Sequence, residues 1–195
     1  GDADAMAISS SGVVTFSQNT VGAGGMDLLL SDTISSAVAD YDITSTYINS
    51  SYDSYYLVMT LIPVNDNVSP QMQVFVGGTL DTGANYGSEI GTFDGGAVQT
   101  SDSQDHMDLV RYNVGSAAGE GFSLVGTFTN INATNLPFSF QGTSHSAGTA
   151  AAPVSAIIFA GHKPDQAGGV VNGIRIDFSG GNIESGSVQL YGLRK

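Results

Sequence analysis

The segment YYLVMTLI, which runs from Tyr55 to Ile62, decides the fold class of this chain. It is rich in aromatic and aliphatic residues and contains no glycine, proline or charged side chain. Aromatic and β-branched residues favour strands, and a strand that is apolar on both faces is typical of a covered sheet. The run is far shorter than the roughly 20 residues that a membrane-spanning helix needs. We therefore predict a central strand of a β-sandwich.

The rest of the chain repeats the pattern of half-buried strands. Apolar and polar side chains alternate in Gln71–Val76, Phe122–Thr129 and Ile174–Phe178, and Val154–Ala160 (VSAIIFA) is predicted as a second buried strand. Glycine, asparagine, aspartate and serine separate these runs, and no stretch of helical length keeps apolar residues three or four apart. The patterns predict roughly ten to twelve short strands in an all-β, antiparallel β-sandwich that is jelly-roll-like.

Three segments lack this regular alternation. Residues 77–104 are rich in glycine and poor in aliphatic side chains, so we expect long loops or a β excursion outside the core. Residues 144–152 (SHSAGTAAA) and 163–169 are predicted as further loops. Long loops on a rigid sandwich often carry binding surfaces.

Composition and charge exclude several classes of protein. The 195 residues include 26 glycines and no cysteine, so disulfides, thiolate metal sites and cysteine nucleophiles are excluded. Eighteen acidic residues against five basic ones give a formal charge of −13. A nucleic-acid-binding protein needs a basic surface, and anionic membranes would repel this chain, so we expect neither partner and no membrane insertion.

The sequence carries no recognisable catalytic motif. The histidines His106, His145 and His162 lie in separate segments, and the serines on either side of His145 do not form a Gly-x-Ser-x-Gly elbow. The three glutamates, among them Glu89, are expected in glycine-rich turns where burial does not raise a pKa. We predict that the chain is not an enzyme and needs no cofactor.

An acidic stretch offers one alternative. Asp102, Asp105 and Asp108 lie close to His106 in sequence, and carboxylate oxygens are the ligands that Ca²⁺ prefers. The spacing matches no EF-hand, and an acidic turn before a strand explains the residues equally well. We predict no metal, with these three aspartates as the alternative site.

The first twenty residues differ from the rest. AMAISSSGVVTF, residues 5–16, reads as a short strand, a Ser-Gly turn and a second short strand. We predict that residues 1–20 form a β linker to an upstream shaft or module, and that residues 21–195 form a β-sandwich head domain.

Three segments resemble bacteriophage virion proteins. NGIRIDFSGGNIESGSVQLYGL, residues 172–193, is similar to their closing strand, SSGN-type turn and final strand ending LYG. YDITSTYINSSYDSYYLVM, residues 41–59, resembles the segment before their first long strand, and AMAISSSGVVTF resembles repeats before tail-fibre heads. The resemblance implies the C-terminal receptor-binding head of a tail fibre, assembled as a homotrimer in the virion and acting outside the cell.

We therefore expect attachment of the virion to a host-surface glycan or outer-membrane component by multivalent binding. The expected receptor-binding residues are Tyr86, Phe93 and Asp94 in the 77–104 region and His145 in the 142–152 region, since tyrosine can stack on a sugar while a nearby carboxylate binds its hydroxyls. Other virion proteins are expected partners. The alternatives are a capsid decoration or other structural virion protein, and a polysaccharide-degrading enzyme of the tailspike kind.

Overall fold

The computed structural model describes residues 6–8, 10, 14–16, 25–93, 96, 98–134, 136–148, 151–162 and 169–193. All regular structure in these residues is β-strand. None of the described residues belongs to a helix that is long and apolar enough to cross a membrane.

The larger sheet has eight antiparallel strands. In spatial order they are β3 (Met26–Ile34), β15 (Ile183–Leu193), β5 (Ser54–Pro63), β11 (Gly121–Thr129), β12 (Phe138–Gly148), β13 (Ala151–His162), β8 (Tyr86–Thr92) and β9 (Gln99–Gln104). The segment that decides the fold class thus lies inside the sheet, in β5, between the C-terminal strand and β11.

The smaller sheet packs against one face of the larger sheet. Its order is β10 (Met107–Asp108), β6 (Pro70–Val76), β14 (Val171–Phe178) and β4 (Tyr41–Ile43), and β7 (Thr79–Leu80) pairs with β6. A separate two-stranded sheet joins β1 (Met6–Ile8) to β2 (Val14–Phe16), so the two short N-terminal strands are confirmed. Their role as a linker stays a prediction.

One hydrophobic core fills the space between the two sheets. From β5 it takes Tyr55, Leu57, Met59 and Leu61, each at most 1% exposed. Smaller-sheet residues such as Ile174 complete it. The predicted all-β antiparallel sandwich is confirmed, with more strands than the eight of a simple jelly roll.

The structure corrects two predictions, the placement of residues 77–104 outside the core and the loop at residues 144–152. Residues 86–92 and 99–104 form strands at one edge of the larger sheet, and Tyr86 and Ile90 belong to the core. Residues 144–148 and 151–152 are the ends of β12 and β13 rather than a loop. In both segments small residues occupy strand positions because pairing with neighbouring strands satisfies their backbone hydrogen bonds, with β13 and β9 on either side of β8 and with β11 and β13 on either side of β12. Of the third predicted loop, residues 163–168 lie outside the described residues.

Candidate functional site

The larger sheet has one face against the core and one turned away from the smaller sheet, which we call the outer face. Three rows of paired residues cross it. The first row contains Leu28, Tyr191, Tyr56, Thr127, Gln141, Phe159, Glu89 and Thr100. The second contains Ser31, Gln189, Val58, Val125, Thr143, Ile157 and Gly91. The third contains Thr33, Ser187, Thr60, Ser123, His145 and Ser155.

The outer face is almost uncharged and partly apolar. Glu89 is the only carboxylate in the three rows, and they contain no lysine or arginine, although the chain carries a formal charge of −13. Leu28 at one end is 55% exposed and Phe159 toward the other end is 56% exposed. Val58, Val125 and Ile157 of the second row lie between these ends, and apolar side chains that continue across a sheet surface commonly mark a contact surface.

A shallow groove of about 440 Å³ lies at the β13–β8–β9 end of the outer face. Gly161 pairs with Gly87 directly beside the pair formed by Phe159 and Glu89, so the backbone lies bare next to an exposed ring. A Cβ atom placed on Gly87 would lie 3.8 Å from Oδ1 of Asp102, which brings that carboxylate to the same side. The groove thus combines an aromatic wall, a glycine floor and two carboxylates.

Two of the predicted receptor-binding residues lie on the exposed surface. Phe93 follows β8 and is 73% exposed, and its backbone N–H donates to the carbonyl oxygen of Ser155. His145 is exposed on β12, with Nδ1 at 3.1 Å from Oγ of Ser155. Ser155 therefore links the two residues at one edge of the outer face. Asp94 lies outside the described residues.

Tyr86, the third predicted residue, is in the core, and its expected role in stacking on a receptor is wrong. Its side chain is 1% exposed, and its hydroxyl donates to the carbonyl oxygen of Asp81 at 2.7 Å and accepts from the N–H of Val74. The ring packs on that of His162, with 4.7 Å between the centroids. Burial raises the pKa of the Tyr86 hydroxyl well above its ordinary value.

His162 and Asp81 form a buried pair beside Tyr86. Nε2 of His162 lies 2.7 Å from Oδ2 of Asp81, and the His162 side chain is fully buried. Burial alone would raise the pKa of Asp81, but hydrogen bonds from His162, the Gly83 N–H and the Asn85 amide hold it below the ordinary value. Among the residues that the structure describes, Nδ1 of His162 has no hydrogen-bond partner. The pair has no opening to solvent at the imidazole and anchors β13 to the segment before β8.

The predicted acidic stretch contributes to a second polar cluster, on the solvent side of the smaller sheet. His106 has Nδ1 at 2.6 Å from Asp105 and Nε2 at 3.3 Å from Asp108, and these carboxylates raise its pKa. Burial raises the pKa of the nearby Asp177 to about 6, although Arg175 and His106 favour its charged form. Arg175 in turn makes two 2.7 Å hydrogen bonds to Asp42 of the neighbouring strand.

The structure does not bring Asp102, Asp105 and Asp108 together as metal ligands. Asp102 accepts a hydrogen bond from the Ser103 N–H and lies at the outer-face groove, whereas Asp105 and Asp108 contact His106. Across the described ranges, no group of three or more histidine, aspartate or glutamate side chains is placed to hold a metal ion.

Sequence reasoning missed Phe159 and Glu89 as candidate site residues. Phe159 was expected inside a buried strand, and Glu89 in a turn. The signal was present in the period of two: Ser155, Ile157 and Phe159 share one face of β13, while Ala156, Ile158 and Ala160 share the buried face. Because six of the seven residues in VSAIIFA are apolar, their side chains do not display that alternation.

No protein-family model matches the chain, and no curated protein or solved structure matches it significantly.

Proposed function

We propose that this chain is the distal, receptor-binding part of a bacteriophage tail fibre and attaches the virion to a host surface by multivalent binding. The resemblance of residues 172–193 and 41–59 to phage virion proteins supports this class of protein. The observation that carries the proposal is the outer face, a wide sheet surface with exposed apolar side chains and almost no charge. Such a surface fits contact with another molecule better than solvation alone.

Self-association uses the half of the outer face farthest from the groove. We call it the neutral half and define it by Leu28, Tyr56, Val58, Val125 and Tyr191. Copies that each carry −13 repel one another, and they approach with least repulsion through a surface without carboxylates. Three copies meeting there form the homotrimer that the resemblance implies.

Multivalency supplies the lasting attachment. After one head binds, the heads of the same fibre and of its neighbours meet the host at high effective concentration. A modest affinity at each single site is then enough to keep the virion attached to the host. In this proposal the chain belongs to the virion and acts outside the cell, with host-surface glycan or protein and other virion proteins as its partners.

Binding to whole cells tests the proposal. The fluorescently labelled chain is titrated against a panel of bacterial strains, with excess unlabelled chain as competitor. The expected result is saturable, competable binding to a subset of strains. Absence of such binding from every strain, together with stoichiometric binding to phage capsids, would contradict the proposal and favour the capsid-decoration alternative. Loss of viscosity of a strain's surface polysaccharide would instead favour the tailspike-like enzyme.

A further inference from the structure

The shape of the groove at the β13–β8–β9 end of the outer face follows from the register of its strands. Phe159 and Glu89 form one cross-strand pair, and the next pair on the same face is Gly161 and Gly87. The change from two large side chains to none produces a step, with the phenyl ring as its wall and bare backbone as its floor. Asp102 closes the side next to Gly87.

This combination suits a sugar ring. A pyranose has an apolar face of C–H groups that packs on an aromatic ring, and hydroxyls around its rim that need hydrogen-bond acceptors. Carboxylates are strong acceptors for hydroxyl groups, and Glu89 and Asp102 are both exposed on the groove. Thr100, paired with Glu89, adds a hydroxyl that can donate or accept.

The charge of the groove selects among sugars. Glu89 and Asp102 are its charged groups, and the whole chain is strongly acidic. Acidic sugars would bring a third negative charge to the same place, whereas neutral ones gain the hydrogen bonds without that repulsion. The groove volume of about 440 Å³ also falls in the range of roughly 300–1,000 Å³ found for small-ligand sites.

We propose that this groove binds a neutral pyranose unit, with the ring stacked on Phe159 and its hydroxyls bound by Glu89 and Asp102. The inference rests on the proposed function, because it names the class of receptor that such an attachment module would recognise. It assigns the binding of the receptor sugar to strands of the larger sheet rather than to loops.

Titration of the full chain with simple sugars tests the groove directly. The probes are the methyl glycosides of glucose, galactose and mannose, and N-acetylglucosamine, followed by saturation-transfer NMR and calorimetry; glucuronic acid is the anionic comparison. At least one neutral probe is expected to bind, and glucuronic acid to bind more weakly. Phe159→Ala is expected to weaken binding about tenfold through loss of stacking.

Matched variants separate a groove effect from a fold effect. Ile157→Ala removes an exposed apolar side chain from the same strand outside the groove and should leave the affinity unchanged. Gly87→Ala places a methyl group on the groove floor with contacts no closer than 3.4 Å, so it should weaken sugar binding without unfolding the chain. Gly91→Ala, on the same strand with nothing within 4 Å, should bind as the parent does.

The outcomes distinguish this inference from the proposed function. Failure of every neutral probe to bind, equal binding by Phe159→Ala, or tighter binding of glucuronic acid would overturn the groove assignment. Whole-cell attachment that survives in Phe159→Ala would leave the chain an attachment module with its receptor site elsewhere. Sugar binding by a chain that attaches to no cell would support the groove and overturn the attachment function.

Discussion

At the scale of single residues, hydrogen bonds to Asp81 hold β13 to the segment before β8 in the larger sheet. Asp81 receives hydrogen bonds from His162, Gly83 and Asn85, and its own carbonyl accepts from Tyr86. Together these contacts hold the segment before β8 against β13. Removing the charge of Asp81 would therefore leave His162 buried beside a weaker acceptor.

Asp81→Asn is expected to lower the free energy of unfolding by about 1–3 kcal/mol at pH 7, the usual cost of disturbing a buried charged hydrogen bond. The pKa of Asp81 is depressed in the folded chain, so its contribution is present above the unfolded pKa and is lost as the pH falls. Urea unfolding of parent and variant at pH 7 and at acid pH measures this difference. Asp66→Asn, at an exposed carboxylate bonded to Ser116, is the control and should change stability little. A difference that stays constant down to acid pH would contradict the assignment.

Asp177 changes the pH dependence of stability in the opposite direction to Asp81. Burial raises its folded pKa to about 6, so the folded chain holds this proton more tightly than the unfolded chain does. Its contribution to stability is complete below the unfolded pKa and is lost as the pH rises through about 6. The charged groups that act on it are Arg175, His106, Asp40 and Asp105.

Asp177→Asn should therefore raise the free energy of unfolding at pH 8 by about 1–2 kcal/mol and leave it unchanged near pH 4. Urea midpoints across this range provide the measurement. The raised pKa of His106 predicts a further loss of stability in both proteins as its proton leaves at higher pH. An unchanged pH profile in the variant would contradict the assignment, because it would mean that the pKa of Asp177 is the same in the folded and unfolded chain.

At the scale of strands, two glycines let the aromatic core form. Gly126 on β11 pairs with Gly142 on β12, and the ring of Phe140 lies over both. A Cβ atom on Gly126 would lie 2.2 Å from Cε2 of that ring. Phe140 also packs on Phe128 at 5.2 Å between centroids, so it has little room to move.

Gly126→Ala is expected to destabilise the fold by about 1–3 kcal/mol through overpacking. Gly91→Ala, with nothing within 4 Å of its added methyl group, is the control for a glycine in a strand of the same sheet and should not destabilise the fold. Thermal and urea unfolding compare the two variants with the parent. Equal stability of both would mean that the Phe140 ring moves aside without cost.

The strands also explain which part of the fold could be predicted. β5 and β14 could be predicted from the sequence because they are rich in aliphatic residues, which favour strands, and because both strands lie inside their sheets. β8 was missed because glycine at positions 87 and 91 removes the side chains by which a strand is recognised. Its buried positions, Tyr86, Ser88 and Ile90, still alternate. Its strand state depends on pairing with β13 and β9, which sequence does not display.

The candidate site was predicted only in outline. Phe93 and His145 are exposed at one edge of the outer face, but Tyr86 is buried, because strand pairing rather than glycine content decides which way a side chain points. The groove depends on the register that sets Phe159 opposite Glu89 and Gly161 opposite Gly87. These residues are about seventy positions apart, so no local pattern could have indicated their juxtaposition.

At the scale of the whole molecule, charge and apolar surface are separated. A chain of formal charge −13 has a sheet face whose neutral half carries apolar, aromatic, hydroxyl and amide side chains and no charged one in the three rows. Tyr56 and Tyr191 lie next to each other there, with 6.3 Å between ring centroids. Contact between copies through this half would bury apolar area while the carboxylates stay in water.

Light scattering after size exclusion tests the central claim that the outer face is a contact surface. At micromolar concentration the parent chain is expected to give three times the chain mass of 20.0 kDa. Tyr56→Asp places a charge in the contact and should shift the mass toward 20.0 kDa, whereas Asn182→Asp adds the same charge outside the three rows and should not. A parent chain that is monomeric, or a trimer unaffected by Tyr56→Asp, would contradict contact between copies through the outer face.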